Sequence, residues 1–122
     1  MIRILIIDDH ETILENTVEL LDLEGYETIT ASNGKDGLEK VIRLVPDVVL
    51  CDLRMPKMDG FTVLKKMGEH PDLKRIPFIF FSTKSEKIDI KLGLDSGADD
   101  YLTKPFELVD LLNSIENCLL KK

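Results

Sequence analysis

No stretch of the 122-residue chain approaches the roughly 20 consecutive apolar residues of a membrane-spanning helix, so no membrane insertion is expected. Basic charge is also scarce. Sixteen Lys and Arg stand against 23 Asp and Glu, a net charge of −7. Proteins that grip nucleic acid usually carry a basic patch, so direct nucleic-acid binding is not expected. There are only two cysteines, Cys51 and Cys118, far apart and without CxxC spacing. Both fall in apolar patterns and read as buried thiols rather than as a disulfide or a metal pair. The two histidines, His10 and His70, share no ligand motif and read as surface residues, although His10 adjoins an acidic pair. Met1-Ile2-Arg3 enters the first apolar run directly, so no secretory leader is expected. Internal repeats, linkers and low-complexity segments are missing too. A single cytoplasmic domain over residues 1–122, with no output domain in this chain, is the expectation.

What is present is an alternation. Arg3 to Ile7 is a nearly continuous apolar run that stops at Asp8-Asp9, and it reads as a strand. Ile13, Leu14, Val18 and Leu21 recur at helical spacing up to Gly25. Tyr26 to Ala31 is β-prone but more polar, as suits an edge strand, and Ser32-Asn33-Gly34 can turn the chain and cap a helix. Leu38, Val41, Ile42 and Val45 predict one clean apolar face on that second helix. Val48 to Cys51, bounded by Pro46 and Pro56, is a short buried strand ending on Asp52. Phe61, Leu64 and Met67 mark a short helix that fades at His70-Pro71. Phe78 to Phe81 is a further strand, a helix follows from about Glu86 to Ser96, and Tyr101 to Thr103 is a fifth strand. Leu108, Leu111, Leu112, Ile115 and Leu119 define a last amphipathic helix.

Strand and helix alternate five times, the pattern of an α/β fold with a parallel sheet and right-handed crossovers. Strands covered on both faces should be the apolar ones. The first, third and fourth qualify, which places them in the middle and predicts a doubly wound five-stranded sheet of order 2-1-3-4-5 with five helices. The switch point then lies between Asp8-Asp9 and Asp52.

At the carboxyl ends of the strands stand Asp8 and Asp9, Asp52, Ser82 and Lys104. Three converging carboxylates repel, and without help one would keep its proton. A divalent hard cation relieves the repulsion, and carboxylate oxygens with water suit Mg²⁺ (or Mn²⁺). A lysine and a hydroxyl across the pocket suit the oxygens of a bound anion. The set fits phosphoryl transfer onto a carboxylate, with Asp52 as nucleophile. Any one Asp after a strand would be unremarkable as a turn former or helix cap, and Asp59 before Gly60 alone means nothing. The conjunction of five groups at one end of the sheet is what carries the reading.

These residues give the chain its resemblance to the receiver domains of bacterial two-component response regulators, of the chemotaxis-regulator type. The marks are Ile6-Ile7-Asp8-Asp9, Asp52-Leu53-Arg54-Met55-Pro56 with Asp59-Gly60, Ser82, and Gly97 to Phe106 with Lys104-Pro105. The 2-1-3-4-5 order of this flavodoxin-like fold is known from chemotaxis regulators, so it agrees with the resemblance without being independent of it. The resemblance implies a signalling switch rather than an enzyme, limited to self-phosphorylation from phosphodonors and slow self-dephosphorylation. Asp52 would take a phosphoryl group from a histidine kinase or phosphotransfer protein. Asp9, Asp52 and the backbone carbonyl of Arg54 would bind Mg²⁺ directly, and Asp8 mainly through water. Ser82 would hydrogen-bond the phosphoryl group, Lys104 would pair with it, and Tyr101 would turn inward on activation. A cis Lys104-Pro105 bond is implied as well. Thr83 stands where the family usually has Ala, and its bulk opposes loop closure. Arg54 and Lys84 are long and basic at positions that vary in the family.

Other classes fit less well. A flavodoxin-like cofactor binder needs a Ser/Thr/Gly-rich phosphate loop after the first strand, where this chain has Asp8-Asp9-His10-Glu11. A haloacid-dehalogenase-type phosphatase needs its nucleophile there, with a second Asp two residues on. A degenerate interaction module should have lost Asp52, Lys104 or an acidic partner. In the fourth helix Ile90 and Leu94, with Gly93 and Gly97, are assigned inward, which turns Ile88 and Leu92 nearly to the opposite side at about 100° per residue. Ile88, Leu92 and Tyr101 are therefore expected on a partner face of the fourth helix, fifth strand and fifth helix. Its expected occupants are an output domain, a partner protein or a second copy of the chain.

Overall fold

The computed structural model describes residues 1–83 and 87–121. Lys84, the expected helix start at Glu86, and Lys122 lie outside the described residues. The elements are β1 (Arg3–Ile7), α1 (Glu11–Leu23), β2 (Glu27–Ala31), α2 (Gly34–Leu44), β3 (Val48–Cys51), α3 (Gly60–Gly68), β4 (Phe78–Ser82), α4 (Lys87–Asp95), β5 (Asp100–Thr103) and α5 (Leu108–Lys121). All strand pairs are parallel, in the order β2-β1-β3-β4-β5.

Successive side chains of a strand leave on opposite faces, and here both faces are covered. Leu5, Ile7, Val49, Cys51, Phe78 and Phe80 enter the core that also takes Val41, Val63 and Met67. Ile4, Ile6, Val48, Leu50, Ile79 and Phe81 enter the other, closed by Leu21, Leu111, Ile115 and Cys118. This two-sided burial is why β1, β3 and β4 read as continuous apolar runs. The polar β2 lies at the edge as expected. Asn33 caps α2, its side-chain oxygen accepting from the Asp36 amide at 2.8 Å.

Two sequence expectations fail on helix faces. The apolar face assigned to α2 is not clean: Val41 is buried, but Ile42 and Val45 are about half exposed. Val45 is already the C-cap in a left-handed conformation at φ 45°, so it no longer follows the helical period. Gly34 and Gly37 take the buried positions instead, where α2 comes close to Met58 and Ile7. In α4, Ile90 packs against the core and Gly93 is buried, but Leu94 is exposed. Close approach at Gly93 turns the inner line of α4 through Ile90 and Gly93 and leaves Leu94 outside.

The register positions the functional ends. Ile7 pairs with Cys51, and Ser82 pairs with Thr103. The amide of Asp52 donates to the Ile7 carbonyl at 2.9 Å, and that of Lys104 to the Ser82 carbonyl at 2.8 Å. The residue after each of these strands is thus held by its neighbour's last carbonyl, on one edge of the sheet.

Candidate phosphoacceptor site

Asp8, Asp9, Asp52, Ser82 and Lys104 follow or end the strands along that edge, and the structure brings the charged ones into contact. Asp8 is fully buried, and Asp52 nearly so, while Asp9 faces solvent. Lys104 Nζ lies 2.7 Å from Asp8 Oδ2 and 3.7 Å from Asp52 Oδ1. The ammonium also sits 4.3 Å above the Phe81 ring, which fixes its direction. The Lys104-Pro105 bond is cis.

The loop after β3 is held tightly. Asp59 caps α3, accepting from the Thr62 amide at 2.9 Å, so its role is structural. Gly60 passes so close to the Asp52 carbonyl and the Phe80 ring that a Cβ would stand 2.4 Å and 2.8 Å from them. Only glycine lets this loop close beneath the Asp52 side chain. Arg54 is exposed on the same loop.

The electrostatics leave a charge uncompensated. Burial pushes the Asp52 carboxyl up first of all. Lys104 pulls it down, Asp8 and Asp9 push it up again, and it settles at about 6 against an ordinary 3.8. One lysine therefore does not balance three carboxylates. Further positive charge is what the pocket favours, and the donor set, carboxylate oxygens open toward solvent, suits a divalent hard cation. Asp8, Asp9 and Asp52 can hold such an ion. Burial and the neighbouring Asp52 and Asp8 likewise push the Cys51 thiol well up, so it stays protonated, in keeping with its reading as an inert core thiol.

Ser82 is buried and shares a side-chain hydrogen bond with Tyr101. Tyr101 is only 8% exposed. It packs 6.1 Å from Phe80 between ring centroids and lies against Gly93, where a Cβ would stand 2.7 Å from it. Tyr101 thus occupies the inward position that the resemblance associates with activation. Ile88 and Leu92 are 63% and 53% exposed.

One residue read as a surface group lies at the rim of the acidic cluster. His10 has its ring outside but its Nδ1 among the carboxylates, 3.2 Å from Asp8 Oδ1 and 3.3 Å from Asp9 Oδ1. Its adjacency to Asp8-Asp9 was the available signal.

A parallel 2-1-3-4-5 sheet with an acidic triad and a lysine at its switch point defines a receiver-type regulatory domain. The model of the response regulator receiver domain matches residues 4–116, and the chain belongs to that family. Among curated relatives it is 42% identical over 113 residues to the transcriptional regulatory protein DltR of Streptococcus agalactiae, covering 93% of this chain and 50% of that protein. It is 37% identical over 119 residues to protein PilH of Pseudomonas aeruginosa, covering 98% of each. The chain spans about half or less of the length of DltR and of several other curated relatives that it matches. Solved structures agree. A receiver domain from Clostridium thermocellum superposes with a TM-score of 0.91 at 32% identity, over 99% of this chain and 96% of that one. Chemotaxis protein CheY4 of Vibrio cholerae gives 0.90 at 30% identity, over 97% and 98%. Among the described residues, no helix is long and apolar enough to cross a membrane.

Proposed function

We propose that residues 1–122 act as one receiver unit, a phosphorylation-activated switch in which Asp52 accepts a phosphoryl group from a phosphohistidine of a histidine kinase or phosphotransfer protein. An Asp52 carboxylate oxygen forms the bond to phosphorus. The phosphorus–nitrogen bond breaks, and the leaving imidazole keeps the electron pair. Lys104 lies within reach of both Asp8 and Asp52, so it can follow the charge from the carboxylates onto the phosphoryl oxygens. Ser82 donates its hydroxyl to one of those oxygens. A Mg²⁺ or Mn²⁺ ion held by Asp9, Asp52 and the Arg54 carbonyl, with Asp8 acting through water, would neutralise charge on the transferring group.

The observation that carries the reading is the burial of the Asp52 carboxyl at the sheet edge, 3.7 Å from the Lys104 ammonium and clustered with Asp8 and Asp9. The output is read through Ser82 and Tyr101. Their side-chain hydrogen bond joins the phosphoryl-binding hydroxyl to β5. A phosphoryl group drawing on Ser82 changes what holds Tyr101, and with it the α4–β5–α5 face that carries Ile88 and Leu92. That face would contact an output domain, a partner protein or a second copy. The test is intact mass after incubation with acetyl phosphate and Mg²⁺. One added phosphoryl group is expected in the wild type. A full yield from Asp52→Asn, or from wild type in excess chelator, would sink the assignment.

A further inference from the structure

His10 stands at the N-cap of α1 with its side chain capping nothing, and its backbone amide donates to Asp8 Oδ1 at 2.8 Å. That bond fixes where the imidazole starts and directs Nδ1 into the carboxylates. The nitrogen lies 3.2 Å from Asp8 Oδ1, 3.3 Å from Asp9 Oδ1 and 3.9 Å from Asp52 Oδ2. A ring nitrogen carries at most one proton, which a bifurcated hydrogen bond can share between Asp8 and Asp9, and a protonated ring would be attracted to all three carboxylates.

Coordination of one shared ion fits all three distances as well. Donor atoms sharing one ion at about 2.1 Å sit roughly 3.0 Å apart at neighbouring corners of an octahedron, about 4.2 Å apart at opposite corners, and about 3.4 Å apart in a tetrahedron. Each distance from His10 Nδ1 falls in that range. The four ligand atoms of Asp8, Asp9, His10 and Asp52 all lie within 4.8 Å of one another. The excess over the opposite-corner spacing is small, and Asp9 and His10 face solvent. Mg²⁺ prefers oxygen donors, whereas imidazole suits first-row transition metals.

We infer that His10 Nδ1 is a further metal ligand, and that it makes this a mixed nitrogen–oxygen site selecting divalent first-row transition ions over Mg²⁺. The inference rests on reading Asp8, Asp9 and Asp52 as a cation site. It assigns His10 a direct bond to the ion, not a positioning role.

The chain has only two histidines, so the ligand can be identified directly. In a His70→Ala background, pulsed electron paramagnetic resonance with Cu²⁺ should show imidazole nitrogen couplings that vanish on His10→Ala. By calorimetry, His10→Ala should weaken Zn²⁺ binding by about tenfold or more and Mg²⁺ binding by less than about threefold. Couplings that persist in His10→Ala, or equal losses for both ions, overturn the inference. Asp52→Asn separates the two levels. Unchanged Mg²⁺ affinity there overturns the cation site itself. Mg²⁺ affinity lost in Asp52→Asn, with both ions indifferent to His10→Ala, overturns only the role of His10.

Discussion

The acidic pocket and the α4–β5 region lie on one sheet yet are held in different ways. Asp8, Asp52 and Lys104 each follow a strand and are fixed by a backbone hydrogen bond to the neighbouring strand, and the ammonium of Lys104 is buried between the two carboxylates. In α4, by contrast, Gly93 is the only buried residue of nine, and Ile88, Leu92 and Leu94 are exposed. The helix α5 shows what firm attachment looks like, with Leu111, Ser114, Ile115 and Cys118 all buried and the Ser114 hydroxyl donating to Asp100. The acidic cluster sits where register leaves little freedom, and the exposed face of α4 sits where few apolar contacts resist a shift.

The largest expected effect breaks the rigid side of that comparison. Lys104→Ala leaves Asp8 buried without its ion-pair partner, which should cost about 3 kcal/mol, or about 10 °C in Tm. Thermal unfolding with and without Mg²⁺ checks it, and the ion should restore part of the loss. A variant that melts with the wild type would mean that the pair contributes little.

Gly93→Ala tests the thin side. The new Cβ meets the Tyr101 and Phe80 rings, so overpacking of about 2 kcal/mol should outweigh the helix-propensity gain of about 1 kcal/mol. Denaturant unfolding should show a net loss near 1 kcal/mol. A stabilised protein would show that α4 moves aside freely.

Protonation of Asp52 gives a comparable effect with a definite sign. Its carboxyl holds a proton up to about pH 6 in the fold, and only to about 3.8 when unfolded. Between those values the folded state binds more protons, so stability falls as pH rises through the window. Allowing for partial solvent screening, the fall should be on the order of 1 kcal/mol. Asp52→Asn or saturating Mg²⁺ should flatten it, as unfolding curves measured from pH 4 to pH 7 will show.

The smallest effect on stability is expected from Ile88→Ser with Leu92→Ser, within about 0.5 kcal/mol, because both side chains are mostly exposed. Their effect should appear only after beryllofluoride activation, as lost self-association or partner binding by light scattering and pull-down. Unchanged association, with Asp52 still phosphorylated, would leave them ordinary surface residues.

Much of this was legible before the structure. Continuous apolar runs at Ile4–Ile7, Val48–Cys51 and Phe78–Phe81 mark strands covered on both faces, which orders the sheet and aligns Asp8, Asp52 and Ser82 at one edge. The helix faces were less legible. Ile42 and Leu94 obey an apolar period and are nevertheless exposed, because the approach at Gly37 and Gly93 decides which line of each helix touches the sheet, while Val45 has already left the helix as its C-cap. A missing side chain leaves no mark in a hydrophobic pattern.

The sequence by itself determined the alternation of elements, the identity of the central strands and the residues at their ends. Those follow from local periodicity and from the burial each strand requires. Only the tertiary structure decided that one lysine reaches two aspartates, that Tyr101 lies inward on Ser82, and that His10 turns a nitrogen into the acidic cluster. Each of these joins side chains through space, with a geometry set by register and close packing rather than by any spacing along the chain.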